Sequence, residues 1–224
     1  MSDLELMECH VEVLYKHDEI ERITHINELP HDIAPRIYIG TTKIGRIVRY
    51  SNRLREDLVK DLDEVINTSL NIELAEIINI LHKCEQLNNV WIGPAYVFPK
   101  LIEQKSICAI QITQSNKELL KPNFPFTYDE LEYKQPCYAI VQHNKAVSIC
   151  CSARQTSMAA EASLYTLEAY RGKRYGVEVS NAWAADIQNQ GRIALYSTSW
   201  DNFSSQSVAK KLKLIQYGTD INFS

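Results

Sequence analysis

The stretch from Glu161 to Gly191 limits the fold of this chain more than any other part of its sequence. Residues 161–167 are mostly apolar or small, which is typical of a buried strand. The segment 171–176, with the sequence RGKRYG, then places two glycines close together where a helix would begin. This order of elements, a strand and a glycine turn leading into a helix, predicts an α/β protein.

The helix predicted after this turn has a clear apolar face and a clear end. Val179, Trp183 and Ile187 recur at the i, i+4, i+8 spacing of one helix face. Gly191 would end the helix, because glycine adopts the left-handed conformation of a C-terminal cap. A glycine turn that enters a helix leaves N–H groups unpaired at the positive end of the helix dipole. The stretch therefore predicts a phosphate-binding turn, although it has neither a GxxxxGK[ST] nor a GxGxxG motif.

Composition excludes several classes of protein. The chain has 224 residues, 45% of them hydrophobic, which is enough for a sizeable core. Its net charge of −4 and the lack of a basic block argue against nucleic-acid binding. We expect neither a membrane span nor a signal peptide, because no apolar run approaches about 18 residues and the N-terminus is acidic and polar.

Cysteine and histidine usage indicates a reducing compartment and no metal site. The six cysteines form no CxxC pair, and in apolar segments such as SICAI and SICCS we interpret them as reduced core residues. The six histidines are scattered without the spacing of metal ligands. We therefore expect a cytoplasmic protein that binds no metal.

The first hundred residues predict a separate α/β region, 1–100, whose role the sequence does not reveal. Apolar spacing predicts a helix over residues 53–66 and a second helix capped by Asn71, both packed on the N-terminal strands. Pro94 and Pro99 make the segment WIGPAYVFP look like an irregular connector. We place a domain boundary near Lys100. The strands expected in residues 9–50 are VEVLY, RIYIG and RIVRY.

The remaining residues, 101–224, predict a second domain of strands and helices. SICAIQIT is expected to be a strand, and His143, Asn144 and Lys145 to turn a hairpin between PCYAIVQ and AVSICCS. Either Asp201 or Asn202 would cap the last helix. Two further strands are expected in IALYSTS and YGTDINF, the second of which would close the sheet.

The segments YTLEAYRGKRYG, AWAADI and LYSTSWDNFSSQSVAKKLKLIQYG together resemble the acyl-CoA-binding half of the GNAT superfamily of N-acetyltransferases. That family's signature is [QR]-x-x-G-x-[GA]; Arg171 and Gly176 occupy its first and last positions, but Arg174 replaces the central glycine. The resemblance covers residues 105–224 well. The wider chain resembles a bacterial subgroup with an additional N-terminal region.

The resemblance implies the GNAT fold, a mixed central β-sheet flanked by helices, and it implies where acetyl-CoA binds. In that fold the fourth and fifth strands diverge, and the pantetheine arm pairs with the free edge of the fourth strand. The pyrophosphate would meet the N–H groups of residues 172–177, and Asn202 would contact the pantetheine. The implied cofactor-binding residues are Leu164, Tyr165, Thr166, Arg171, Gly172, Lys173, Arg174, Tyr175, Gly176, Val177 and Asn202.

The resemblance also implies acyl transfer to a primary amine, which requires a base because an ordinary ammonium has a pKa of about 10.4. Glu161 is the candidate base, and the alternative is a surface glutamate at a strand end. The tyrosine that usually serves as general acid is replaced by Ala209. The Cys150–Cys151 pair suggests an acyl-cysteine route, but without a partner histidine we expect it to be core.

Two other functions remain open from the sequence. The missing tyrosine and Arg174 are also compatible with a non-catalytic acyl-CoA-binding regulatory module, and residues 1–100 with a domain that docks a protein partner. The acceptor, a small molecule or a protein that carries an amine, is not specified. Its site would involve the N-terminal region and the segment NFPFTYDELEY, whose aromatic side chains either line that site or cover the sheet. A homodimer is compatible with the resemblance, but no residue indicates one.

Overall fold

The structure is a computed structural model that describes residues 1–69, 71–100 and 108–224. Its α-helices are α1 (Asp3–Leu14), α2 (Glu56–Thr68), α3 (Leu74–His82), α4 (Pro125–Asp129), α5 (Tyr175–Asn189) and α6 (Phe203–Lys211). Its strands are β1 (Tyr15–His17), β2 (Ile23–Ile26), β3 (Ile37–Thr41), β4 (Arg46–Tyr50), β5 (Val90–Val97), β6 (Ile110–Ile112), β7 (Cys137–Gln142), β8 (Lys145–Gln155), β9 (Ala159–Thr166), β10 (Ile193–Ser197) and β11 (Ile215–Phe223). In these residues, no helix combines the length and apolar character needed to cross a bilayer.

One nine-stranded mixed sheet organises the molecule, with the strand order β4-β3-β11-β5-β10-β9-β8-β7-β6. All neighbouring strands are antiparallel except β9 and β10, which are parallel. The expected fold class, a mixed central sheet flanked by helices, is confirmed.

Helices cover both faces of the sheet, because alternate side chains of each strand point to opposite faces. On one face α1 packs against Tyr38, Ala95 and Tyr217. On the other face Trp183 of α5 lies in a core with Ala160 and Ala194 of the two parallel strands. Helices α2 and α3 pack on Ile37 and Ile39 of β3 and on Ile221 of β11, as their sequence spacing predicted.

The segment VEVLY was wrongly predicted to be a strand. Residues 11–14 form the last turn of α1, and only Tyr15 begins β1. The sequence carries the helix signal at the other end: Ser2 and Glu5 form a capping box, in which each side chain bonds the other's main-chain N–H. The cap predicted at Asn71 is also wrong, since α3 begins after Glu73 and has no side-chain cap there.

The segment WIGPAYVFP was wrongly predicted to be a connector, because β5 is a central strand between β10 and β11. Pro94 is tolerated there for a local reason. Its carbonyl accepts from the Thr198 N–H at 3.4 Å, so its missing N–H would point to the β10 side. The ladder between β5 and β10 stops at the pair formed by Ala95 and Ser197, so it does not include Pro94. No ladder bond is therefore lost.

The other local predictions fit the structure closely. His143 and Asn144 have positive φ angles of 50° and 59° in the hairpin turn between β7 and β8. Gly191 follows α5 with φ at 76°, and Asn202 caps α6 by accepting from the Ser205 N–H. In SICAIQIT, β6 covers Ile110–Ile112, and residues 106–107 lie outside the described residues.

The last strand occupies a different place from the predicted one. Rather than closing the sheet at an edge, β11 pairs with β3 on one side and β5 on the other. The sheet therefore runs across the boundary predicted near Lys100, with three of its strands from residues 1–100. A functional division at that point stays a prediction.

Candidate active site

The two parallel strands pair only at their beginnings. Ile193 lies opposite Ala159, and the last pair is Leu195 with Glu161. Beyond that point β9 continues through residues 162–166, paired to β8 on its other side, while β10 follows β5. The edge of β9 that faces β10 is therefore open after Glu161, as the resemblance implied. An extended polar chain can bond such an edge as an added strand would.

The open edge of β9 leads into the turn that precedes α5. Gly172 and Arg174 both have positive φ angles, 79° and 63°, and Arg174 is the N-cap of α5. The first main-chain bond of the helix is donated by Glu178 to the Arg174 carbonyl. The N–H groups of residues 175–177 therefore have no acceptor within the helix, and they lie at the positive end of its dipole. The three N–H groups, called the anion cradle below, have the arrangement predicted from RGKRYG.

A cavity of about 480 Å³ joins the cradle to the open edge. All but one of the predicted cofactor-binding residues line it: Leu164, Tyr165, Thr166, Arg171, Gly172, Arg174, Tyr175, Gly176, Val177 and Asn202. Helix α6 forms a further part of the wall, with Phe203, Val208 and Lys211, that was not predicted from the sequence. Their position could be found only once α6 was known to face the cradle.

The exception is Lys173, whose side chain leaves the cavity. Its ammonium lies 5.0 Å from the ring centre of Tyr170, and that ring stacks on Tyr175. Arg171 stays at the cavity wall, with its Nε 3.4 Å from the Thr166 carbonyl oxygen. Glu168, which precedes the turn, is exposed. The positive charge at the cavity therefore comes from Arg171, Arg174 and Lys211.

Glu161 lies where β9 and β10 separate, and it is 4% exposed. Its carboxylate accepts a hydrogen bond from Ser197 Oγ, contacts His10 Nε2 at 3.4 Å and accepts from Arg154 at 3.1 Å. Burial alone would raise the pKa of Glu161, but the bonds from His10 and Ser197 and the charge of Arg154 lower it to about 2. The surface alternative for Glu161 is wrong. The structure does not test its predicted role as a base.

A second cavity, of about 400 Å³, opens on the α1 face of the sheet beside Glu161. It contains Tyr15, Trp91, Arg154, Glu161, Ser197 and Asp220. Consecutive residues of β9 line the two cavities: Glu161 to Ser163 line the second and Leu164 to Thr166 line the first. In the wall of this cavity Tyr15 is buried, whereas Trp91 is only partly buried.

Carboxylates predominate over cations in the second cavity. Glu28, Glu161 and Asp220 line it together with one guanidinium, that of Arg154. Arg154 donates to Glu161 and forms an ion pair with Glu28 at 3.3 Å, so two carboxylates already neutralise it. Asp220 is 1% exposed, and its Oδ1 has no hydrogen-bond partner among the described residues.

Burial raises the pKa of Asp220 to about 7, and the negative charge of Glu161 adds to the effect. The positive charges of His10 and Arg154 oppose it. The pKa of His10 is raised, because its contact with Glu161 and the charge of Asp220 outweigh the effect of its burial. The site thus contains two buried carboxyl groups whose pKa values are moved in opposite directions.

Sequence reasoning missed His10, Arg154 and Asp220. His10 directly precedes the segment VEVLY, for which the sequence predicts a strand. A buried polar residue at an apolar position of a helix is the signal that marks it, and that signal is visible only when α1 is recognised as a helix. Asp220 gives no such signal, because it stands at a polar position of β11, between Gly218 and Asn222, and only the structure shows that it is buried.

The other candidates named from the sequence do not form a site. The six cysteines are free; Cys150 and Cys151 are buried core residues, but Cys84 and Cys108 are exposed, contrary to the core prediction. Ala209 is buried in the core between α6 and the sheet. None of the aromatic residues of NFPFTYDELEY lines the second cavity; Phe126 is 81% exposed, and Phe124 is buried against Tyr165.

No family model and no curated protein matches this sequence. Solved structures do match. An acetyltransferase from the GNAT family of Colwellia psychrerythraea aligns with a TM-score of 0.51 at 11% identity, over 79% of this chain and 75% of that one. A GCN5-related N-acetyltransferase-like protein from Streptococcus suis aligns with a TM-score of 0.52 at 11% identity, over 85% of each chain.

The similarity extends over the whole chain in a third case. A GCN5-related N-acetyltransferase from Kribbella flavida aligns with a TM-score of 0.51 at 8% identity, over 100% of this chain and 95% of that one. This alignment therefore includes the N-terminal strands of the chain. At these identities the comparison establishes the architecture, and the chain has the GNAT fold, that of the GCN5-related N-acetyltransferases.

Proposed function

We propose that this chain is an acetyl-CoA-dependent N-acetyltransferase that transfers the acetyl group directly to a primary amine. The observation that carries the proposal is the continuity of one cavity from the N–H groups before α5 to the open edge of β9. An anion cradle and a free strand edge in that order fit a ligand with a pyrophosphate at one end and an amide-rich arm. Bound there, acetyl-CoA supplies an activated acyl group as a thioester.

The residues of the first cavity fit this ligand. Gly172 has φ at 79°, and a Cβ added to it would meet nothing within 4 Å, so its main chain is open to an anion. Each charge-assisted bond from an N–H to a phosphate oxygen contributes roughly 1.5–3 kcal/mol. Main-chain groups of Leu164, Tyr165 and Thr166 would bond the arm. Asn202 uses its Oδ1 to cap α6, which leaves its amide N–H groups to donate.

The second cavity is the acceptor site in this proposal. It opens beside Glu161, at the point where an arm bonded along β9 would end. Its excess of carboxylates favours a cationic group such as an ammonium. Because both reactants would be held on either side of the same strand gap, proximity provides much of the rate enhancement.

The leaving group requires little from the protein. A thiol has a pKa of about 8.5, so a thiolate can depart without a strong acid. Ala209 at the usual tyrosine position is therefore compatible with turnover. Ser204, Ser205 and Ser207 line the first cavity and are the hydroxyl-bearing residues that α6 contributes to its wall.

Two measurements on the wild-type protein test the proposal. Acetyl-CoA at 100 times its Kd should stabilise the fold by about 2.7 kcal/mol, visible as a rise in Tm. Free thiol should then appear when a panel of primary amines is added. Stabilisation without thiol release from any amine would favour the regulatory module, and the absence of stabilisation at millimolar acetyl-CoA would contradict both functions.

A further inference from the structure

We propose that Asp220, and not Glu161, is the carboxylate that accepts the proton of the acceptor amine. The inference rests on the proposed function and assigns a catalytic residue to the acceptor site. Glu161 becomes a positioning residue, which holds Ser197, His10 and Arg154 at the strand gap.

The geometry leaves Asp220 available and Glu161 occupied. Both carboxylates line the second cavity. Glu161 contacts three donors from three different elements, so an incoming ammonium would have to displace one of them. Asp220 lies opposite Gly40 of β3 and Gly93 of β5, and neither neighbour has a side chain that could donate to it.

A buried carboxylate oxygen without a partner is costly unless a ligand satisfies it. Oδ1 of Asp220 is such an atom among the described residues, and the nearby cavity is where a donor would arrive. An ammonium provides that donor. This is the structural reason to place the amine at Asp220.

The charges around Asp220 make it the better proton acceptor. Its electrostatic neighbours come from β1, α1, β3, β8, β9 and β11 itself, and they are Tyr15, His10, Tyr38, Arg154, Glu161 and Tyr217. The balance of burial and these charges raises the pKa of Asp220 to about 7, whereas that of Glu161 is lowered to about 2. Proton transfer from an ammonium of pKa about 10.4 is then uphill by about three orders of magnitude to Asp220 and about eight to Glu161.

The acetyl transfer moves two protons and exchanges a C–S bond for a C–N bond. One N–H proton of the ammonium moves to the Asp220 carboxylate, which leaves a neutral amine with its lone pair. That lone pair forms the new C–N bond at the acetyl carbonyl carbon, and the C–S bond breaks with its electron pair on sulfur. The second proton leaves the nitrogen for the thiolate, and Asp220 releases the first proton to solvent through the cavity.

The pH dependence of kcat/KM for thiol release separates the two carboxylates, with n-butylamine, spermidine and N-acetyl-lysine amide as amine probes. In the wild type we expect kcat/KM to rise with pH through about 7 as Asp220 ionises. Asp220→Asn should lose this limb and at least 100-fold in kcat/KM. Glu161→Gln should keep the limb but move it to lower pH, because the charge of Glu161 raises the pKa of Asp220.

Asp57→Asn is the matched control, since Asp57 is an exposed residue of α2 that lines neither cavity. It should leave the profile unchanged. The inference would be overturned if Asp220→Asn retained the limb, or if Glu161→Gln abolished it. Acetyl-CoA stabilisation of Asp220→Asn, measured alongside, should equal that of the wild type; if the wild type itself shows none, the proposed function fails and not this assignment alone.

A second measurement applies even if no amine in the panel is acetylated. Carbon-13 NMR of the side-chain carboxyl groups should show one aspartate that titrates near neutral pH, is absent in Asp220→Asn and shifts when n-butylammonium is added. A spectrum in which every aspartate titrates below pH 5, or in which n-butylammonium leaves the Asp220 signal unchanged, would contradict the assignment.

Discussion

Arg174 keeps its main chain in the left-handed region, with φ at 63°, at the N-cap of α5. This conformation costs a residue with a side chain roughly 1–2 kcal/mol, and glycine avoids the cost. The family signature has glycine at this position, a residue that adopts this conformation without the cost. The positive charge of Arg174 at the anion cradle is the compensation that the structure offers.

Arg174→Gly should therefore stabilise the free protein, by about 0.5–1 kcal/mol after the greater entropy of glycine in the unfolded chain is subtracted. It should also weaken acetyl-CoA binding, because a charge is lost from the cavity. Arg174→Ala is the control: it loses the same charge but keeps the strain, so it should not be stabilised. Urea unfolding of the three proteins measures the difference, and equal stability of the Gly and Ala variants would contradict the strain.

Asp220 should make the stability of the whole chain fall as pH rises. The pKa of Asp220 rises from the reference value of 3.8 to about 7 in the folded state. Between these two pH values the folded state therefore keeps a proton that the unfolded state has lost. The stabilisation of the neutral acid is fully present below pH 3.8 and disappears as pH rises through 7.

Asp220→Asn removes this dependence. Relative to the wild type, the variant should gain on the order of 2 kcal/mol in unfolding free energy between pH 5 and pH 8. Urea unfolding of both proteins at the two pH values tests this. A relative loss for the variant over the same interval would show that the sign is wrong.

At the scale of elements, β5 determines where the sheet can open. Its pairing with β10 ends at Ala95. The main chain of Thr198 and Ser199, which follows β10, lies very close to Gly93. A Cβ added to Gly93 would lie 1.9 Å from the Thr198 carbonyl oxygen, a separation that real atoms do not adopt. This close approach holds residues 198–200 against β5, away from the open edge of β9.

Gly93→Ala should therefore destabilise the protein by at least about 2 kcal/mol, since main chain must shift to admit the methyl group. The shift would also move the strand gap, and acetyl-CoA affinity should fall. Gly45→Ala is the matched control, because its added Cβ would have its nearest neighbour at an ordinary 3.5 Å. Similar Tm values for the two variants would contradict the account of β5.

The elements that sequence reasoning predicted are those whose signals are local. The strand, the RGKRYG turn, the caps at Gly191 and Asn202 and the hairpin turn at His143 each depend on a few adjacent residues. The second cavity could not be predicted in this way, because its surroundings depend on distant residues. His10, which contacts Glu161, precedes it by 151 residues in the sequence. Pro94 misled the prediction of β5, because its tolerance depends on where a neighbouring strand ends.

At the scale of the whole molecule, the two halves of the chain share one sheet. β5 comes from the first half and lies between β10 and β11 of the second, and α1 covers Glu161 with His10. A partner-docking role for residues 1–100 would therefore be an addition to a structural role. These residues complete both the sheet and the wall of the second cavity.

Residues 101–224 expressed alone should not fold cooperatively, because they lack the central strand and the helix that buries Glu161. Their circular dichroism should show no sigmoidal thermal transition, and acetyl-CoA should not induce one. Co-expression with residues 1–100 as a separate chain is the control and should restore the transition. A fragment 101–224 that unfolds cooperatively and is stabilised by acetyl-CoA would show that the N-terminal half is an independent domain.

The proposed function depends on binding of acetyl-CoA by the turn before α5 and the adjoining edge of β9. Gly176 tests it directly: an added Cβ would make ordinary contacts of 3.5 Å with Thr166 and 3.6 Å with Leu164, both in the cavity wall. Gly176→Val should thus place its methyl groups at this wall, where the ligand would lie. Gly45→Val, outside the cavity, is the control.

Isothermal titration calorimetry of acetyl-CoA into the three proteins is the decisive measurement. We expect binding at one site per chain in the wild type and in Gly45→Val, and a Kd at least tenfold weaker in Gly176→Val. No binding to the wild type, or equal affinity in Gly176→Val, would contradict the account.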